Sequence, residues 1–324
     1  MKILIWVLMS LAAIVLLSTI GGYFYFKNQF QPPANQLVLG DSNNPTPFVW
    51  LKDSTENGVD EYSAMLLPIT LEGIAGTYYM QFDLGAPYSL FYGKALSSLN
   101  EKYKRITIRQ EGESSSLEKF SFKVGATDVF AKTIKVKNYG SAIDWNDSSR
   151  VRIIGTIGAD FIEDKVLIID YKHGSISVAS EIPHELENAA RFSDFRFESR
   201  RVLLPSKIDG QEQTLLFDTG ASAFELLTDE DTWKALSKEG SKEETYEANS
   251  WGKKLVVHNR ESNSLIEFGS VELPLSMVTY IEGTGFMQNM LMKFSGMGGM
   301  IGNKLFIGNI LVLDTKNQKY TIIK

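Results

Sequence analysis

The sequence predicts an all-β protein built of two homologous lobes and preceded by one N-terminal transmembrane helix. Three observations carry this reading. From residue 62 onward, short β-type runs are punctuated by turn residues roughly every 8–12 positions, a spacing that suits strands rather than helices. Four sequence blocks recur in the same order in the two halves of the chain. At the N-terminus, "ILIWVLMSLAAIVLLSTIGGYFYF" (3–26) runs for 24 residues without a charge.

That run exceeds the about 20 apolar residues needed to cross a hydrocarbon layer of ~30 Å. Tyr23 and Tyr25 suit the far interface. A cleaved signal peptide would have a shorter apolar region, roughly 7–15 residues, followed by a small-x-small site. No A-x-A follows here, so residues 1–27 read as an uncleaved anchor. Lys2 and the α-amino group precede the span and Lys27 follows it. The expected orientation puts the N-terminus inside and the body on the extracytoplasmic side, periplasmic or extracellular. Residues 28–60, rich in Asn, Pro, Gly and Asp and without a sustained period, read as a stalk or linker, with a propeptide as the alternative.

The body divides into a first lobe (61–180), a connector (181–200, "EIPHELENAARFSDFRFESR") and a second lobe (201–324). The division rests on the repeats. "LLPITLEG" (66–73) returns as "LLPSKIDG" (203–210), and each copy is followed by a strand running into an aspartate turn. Each turn then leads to a short helix containing "KAL", at 92–103 and at 229–240, the latter opened by Asp229 as a cap. "KFSFKVGATDVFAKTIKVKNYG" (119–140) resembles "SLIEFGSVELPLSMVTYIEG" (264–283) in pattern. "TIGADFIEDKVLIIDYKHGSISV" (156–178) aligns without a gap to "MIGNKLFIGNILVLDTKNQKYTI" (300–322).

Composition narrows the chemistry. At 324 residues and 44% hydrophobic the chain is long enough for two cores. A net charge of −6 without a basic stripe argues against a nucleic-acid partner. There is no cysteine, which excludes disulfides, thiolate metal sites and cysteine nucleophiles. His173, His184 and His258 have no metal-ligand spacing, so neither a metal nor a cofactor is expected.

The aspartate turns carry the functional reading. "MQFDLGAP" (80–87) and "LLFDTGAS" (215–222) each place an ionisable aspartate at the end of an apolar strand, two residues before a glycine. A single Asp-x-Gly is most often a tight turn whose aspartate bonds its own backbone. What lifts this pair above a turn is a second element in each lobe, "IIGTIGADF" and "GGMIGNKLF". There Gly158 and Gly302 follow apolar or small residues and could pass directly behind the aspartate loop, having no side chain to clash.

With these motifs the chain resembles a two-lobed aspartic peptidase of the pepsin and retropepsin type over nearly all of 62–324. The resemblance implies two β-barrel-like lobes with an active-site cleft between them. It implies that Asp83 and Asp218 are the catalytic pair, supported by the loop residues Gly85, Thr219, Gly220, Ser222, Gly158 and Gly302. In such a site two close carboxylates share one proton, and a water held between them attacks a peptide bond without metal, cofactor or covalent intermediate. The expected partners are a peptide or protein substrate, and the membrane through the N-terminal helix.

Two departures stand out. The family's first motif carries Thr or Ser after the aspartate, a hydroxyl that helps lock the two loops together, and here the residue is Leu84. A catalytically weak or inactive peptide- or partner-binding protein of the same fold is therefore the alternative, and a structural or assembly protein a third reading. The region matching the family's flap, "IRQEGESSSLEKF" (108–120), has no aromatic before Phe120. Its second-lobe equivalent offers Tyr246 and Trp251.

Overall fold

Alternation of apolar and polar residues drives most of the chain into strands. The computed structural model describes residues 31–40, 42–55, 58–250, 253–282 and 297–324. The uncharged run at 3–26 lies outside them, as do Trp251 and Gly252. Among the described residues no helix is long and apolar enough to cross a membrane.

The first half contains β1 (Leu37–Leu39), β2 (Ser42–Pro47), β3 (Val49–Thr55), β4 (Gly58–Leu71), β5 (Ile74–Phe82) and β6 (Leu90–Tyr92). Helix α1 (Gly93–Tyr103) follows, then β7 (Arg109–Glu111), β8 (Ser114–Val124), β9 (Thr127–Lys137), β10 (Ile153–Ile157), β11 (Val166–Asp170) and β12 (Ser175–Ala179). Helix α2 (His184–Ala189), β13 (Ser193–Asp194) and β14 (Arg196–Glu198) lead into β15 (Arg201–Ile208), β16 (Gln211–Phe217) and β17 (Leu226–Thr228). After α3 (Glu230–Leu236) come β18 (Glu244–Ser250), β19 (Lys253–Glu261), β20 (Leu265–Phe268), β21 (Val271–Pro274) and β22 (Met277–Glu282). The chain closes with β23 (Met297–Ile301), β24 (Ile310–Asp314) and β25 (Lys319–Ile323). Asp229 caps α3 as its position suggests, its Oδ1 accepting from the amides of Asp231 and Thr232.

Each lobe is organised around a sheet in which the strand entering the aspartate turn lies parallel to the strand entering the glycine element. β5 pairs with β10, setting Phe82 beside Ile157, and β16 pairs with β23, setting Phe217 beside Ile301. Along β5 the side chains of Tyr78, Met80 and Phe82 point inward, and along β16 those of Leu215 and Phe217 do so. The period of two makes one face of each strand core.

A third sheet of six strands, in the order β13-β25-β24-β11-β12-β2, joins the halves. Its central pair is antiparallel β11 and β24, with Ile168 opposite Val312. These two residues are separated by the same interval as Gly158 and Gly302. Each is thus paired with its own repeat counterpart, as a two-fold axis through that point requires. Flanking bonds obey the same symmetry: Tyr171 N donates to Asn309 O at 3.0 Å, and Thr315 N to Lys165 O at 2.9 Å.

The domain limits read from the sequence need correction in three places. The segment read as a stalk is strand over much of its length: β1 pairs with β9, β2 with β12 and β3 with β4. β2 lies at a sheet edge, where Pro45 and Pro47 are tolerated, so it lacks the apolar alternation that marks a strand. The connector contributes β13 to the six-stranded sheet and β14 to the second-lobe sheet. Finally, β11, β12, β24 and β25 do not close two separate barrels, because the ends of both lobes pair with each other. Residues Asn35–Lys324 form one unit.

Two tight hairpins of the second lobe invite comparison. The β15–β16 turn is Asp209-Gly210, both with positive φ (48° and 81°), the residues such a two-residue turn favours. The β14–β15 turn is Ser199-Arg200, also positive at 51° and 59°. Left-handed backbone costs a side-chain-bearing residue roughly 1–2 kcal/mol, a cost that glycine would avoid.

Candidate functional site

The two aspartate loops meet across the lobe interface. Their backbones are matched: Asp83 N donates to Ile157 O and Asp218 N to Ile301 O, both at 3.0 Å. Ala86 N bonds Asp83 O and Ala221 N bonds Asp218 O, at 3.2 and 3.1 Å. Each loop's glycine abuts the opposite carboxyl. A Cβ on Gly220 would come within 2.5 Å of Asp83 Oδ1, and one on Gly85 would collide with the Asp218 carboxyl. Such an approach is open only to a residue without a side chain.

Gly158 and Gly302 lie directly behind these loops. A Cβ on Gly158 would stand 2.5 Å from the Tyr88 carbonyl carbon, and one on Gly302 would overlap Ala221 O. The apolar-apolar-Gly spacing is thus explained by backbone contact. It brings two loops distant in sequence within van der Waals reach of each other.

The carboxyls themselves are hydrogen-bonded to each other and half-buried. Burial, followed by the charge of Asp218, pushes Asp83 up to about 7, against the opposing pull of the Ala86 and Gly85 amides. Burial also raises Asp218, but the amides of Gly220, Gly85 and Ala221 and the Asp83 carboxyl oppose it. Asp218 Oδ1 accepts from Gly220 N at 2.7 Å and from Gly85 N at 2.9 Å, whereas Asp83 Oδ1 accepts from Ala86 N at 3.1 Å. Amide donors favour the charged form. Both carboxyls are raised, so the pair titrates as a unit, and the amides on Asp218 favour its charged form.

The lock between the loops is one-sided. Thr219 Oγ1 accepts from Leu84 N and donates to Phe82 O, each at 2.9 Å. Leu84, fully buried in the core, has no hydroxyl to return these bonds. Burying a leucine contributes about 1.5–3 kcal/mol, against roughly 1 kcal/mol for a net hydrogen bond. The substitution therefore costs the fold little and removes a constraint on loop geometry.

Ser222 does not support the Asp218 carboxylate as expected. It is buried behind the loop, where its Oγ accepts from Asn303 Nδ2 at 2.9 Å. Asn303 also donates to Thr219 O at 3.1 Å and accepts from Tyr171 OH at 2.7 Å. The counterpart of Asn303 in the first lobe is Ala159, and there the next residue, Asp160, takes up the polar contacts. Ser89 Oγ donates to Asp160 Oδ1 at 2.7 Å, accepts from Gly158 N at 3.0 Å, and Ser89 N also bonds the Asp160 carboxylate. Burial pushes Asp160 up, while the Ser89 bonds and the nearby Arg200 charge pull it down. Asn303 and Asp160 were not singled out in the sequence, where they stand among several other polar and charged residues of the repeat blocks.

Of the hairpins expected to cover the cleft, the β7–β8 turn is exposed and carries Gly112 and Glu113 at its tip. In the β18–β19 hairpin Tyr246 stands opposite Val257 and hydrogen-bonds the Asn259 side chain. Among the described residues, no group of three His, Asp or Glu side chains is placed to hold a metal ion.

No family model matches the chain, and no curated protein sequence matches it. Among solved structures, it is similar to the crystal structure of an aspartic proteinase from Irpex lacteus, at 12% identity and a TM-score of 0.49. That match covers 89% of this chain and 97% of the other.

Proposed function

We propose that the chain is a membrane-anchored aspartic endopeptidase whose body faces an extracytoplasmic space. The observation that carries the reading is the reciprocal contact of each loop glycine with the opposite carboxyl, which holds Asp83 and Asp218 in hydrogen-bond contact over a single proton. A non-catalytic cleft gains nothing from two mutually repelling acids. In the reaction, Asp218 takes a proton from a water as its oxygen attacks the scissile carbonyl carbon, and Asp83 gives its proton to the carbonyl oxygen. Collapse of the tetrahedral intermediate breaks the C–N bond and passes a proton to the leaving amine, so the pair ends with one proton as it began. Before the attack the amides at Gly85 and Gly220 hold the negative charge on Asp218, and in the intermediate that charge has passed to Asp83. The anchor and orientation rest on the uncharged run at 3–26 and the lysines around it.

The test is hydrolysis of a broad peptide library between pH ~3 and ~8, with and without a statin-type transition-state mimic, against Asp218→Asn as control. Statin-sensitive cleavage by the wild type alone is the expected result. Equal inertness of the two proteins would remove the hydrolase reading in favour of a peptide-binding protein of the same fold. That second reading is favoured by one observation, the buried Leu84 in the place of a locking hydroxyl.

A further inference from the structure

We infer that Arg200 is a positioning residue for the Asp83 loop, extending to Pro87 O the grip that the second lobe has on that loop through Thr219 and Asp218. The inference rests on the hydrolase reading above and adds to it a residue with no place in the sequence motifs. Three observations converge on Arg200. It sits at a left-handed position, φ 59°, in a two-residue hairpin turn that glycine would occupy without strain. Its side chain is only 3% exposed. And its guanidinium crosses to the first lobe, where Nη1 donates to Pro87 O at 3.0 Å and Nη2 to Glu163 Oε2 at 2.8 Å.

A buried arginine on strained backbone is retained where its contacts require it. Arg200 Nε is buried without a partner, so the side chain is not satisfied for its own sake; it is held where Nη1 and Nη2 reach. Those contacts complete a series. The second lobe grips the Asp83 loop at Phe82 O and Leu84 N through Thr219, at Gly85 N through Asp218, and at Pro87 O through Arg200. Without Arg200 the grip would end at Gly85, leaving the exit of the loop to Ser89 and Asp160 in its own lobe. Glu163, only 30% exposed, fixes the fork from the other side, and the planar guanidinium can serve both acceptors at once.

The experiment compares Arg200→Gly and Arg200→Lys in the full chain, by steady-state kinetics on a fluorogenic peptide and by amide hydrogen exchange. Glycine suits the turn, so loss of function in Arg200→Gly is not a turn defect. The expected result is a kcat about 10- to 100-fold lower in Arg200→Gly with KM within about twofold, since misplacing one catalytic carboxyl by about 1 Å costs on that scale. Exchange at Gly85 and Ala86 speeds up while Gly220 and Ala221 are unchanged. Lysine, a single-point donor, gives an intermediate value. Unchanged exchange at Gly85 and Ala86, or exchange accelerated equally in both loops, overturns the inference, as does an unaltered kcat. Should the wild type cleave no peptide at all, the hydrolase reading fails, and the exchange data still decide whether Arg200 holds the loop.

Discussion

The Asp83 and Asp218 loops share a backbone and differ in what braces them. Both enter from a parallel strand pair, both close with an alanine amide on the aspartate carbonyl, and both have a glycine element pressed behind them. The Asp218 loop is held by a neutral hydrogen-bonded cluster of Asn303, Ser222 and Tyr171. The Asp83 loop is held by a charged cluster of Asp160, Arg200 and Glu163, and it presents Leu84 where its counterpart presents Thr219. Duplication preserves what backbone contact demands. Side-chain braces are free to diverge, because several chemistries can satisfy the same buried groups.

Four experiments break or sharpen this comparison. The largest effect is expected from removing either carboxylate: Asp83→Asn and Asp218→Asn should each lower kcat by on the order of 10^2–10^4-fold. A large loss from one and a small loss from the other would end the claim of a working pair. Next come the glycines. Gly158→Ala and Gly302→Ala should each cost roughly 3 kcal/mol or more in denaturant unfolding, since both added methyls meet backbone that cannot rotate away. If only one proves costly, the pseudo-symmetry of the close contacts is lost.

Proton linkage separates the two acids. Asp83 is raised from 3.8 to about 7 in the folded protein. Between those values the folded state binds the extra proton, so this contribution to stability is complete below about pH 4 and declines as pH rises to about 7. Asp83→Asn should abolish that decline and raise Tm at pH 8 by a few degrees, on the scale of about 2–4 °C per kcal/mol for a chain of this size. Activity should fall on the alkaline side with a midpoint near 7 as the shared proton is lost. A pH-independent Tm in the wild type would contradict the assignment of the proton to Asp83. The smallest effect is Leu84→Thr. Lost burial and gained hydrogen bonds nearly cancel, leaving stability within about 1 kcal/mol, while kcat rises if the one-sided lock limits positioning. A fall in kcat would show that Leu84 is an adaptation to packing rather than a weakness.

Much of this arrangement was legible because it obeys local rules. The aspartate turns are short, punctuated by glycine and repeated, so Asp83, Asp218, Gly85, Gly220, Gly158 and Gly302 stand out together. The helix at 230–236 was marked by its aspartate cap. What was not legible lacked a period or a neighbour. β2 hides behind two prolines at a sheet edge. Arg200 lies far along the chain from Pro87 and from Glu163, inside a segment that reads only as a connector. Ser222 is a small hydroxyl in the right loop, and its direction depends on Asn303, which the motif does not contain.

By itself, the order of residues determined that there are two lobes, where each would turn, and which glycines had to be bare. Strand alternation and turn geometry act over a few neighbouring residues, and duplication writes them twice. Only the tertiary structure decided that burial raises both acids, where Ser222 points and what grips the Asp83 loop from across the interface. Those outcomes depend on burial and on distances between groups far apart in the chain, quantities that exist only after the lobes have closed on each other.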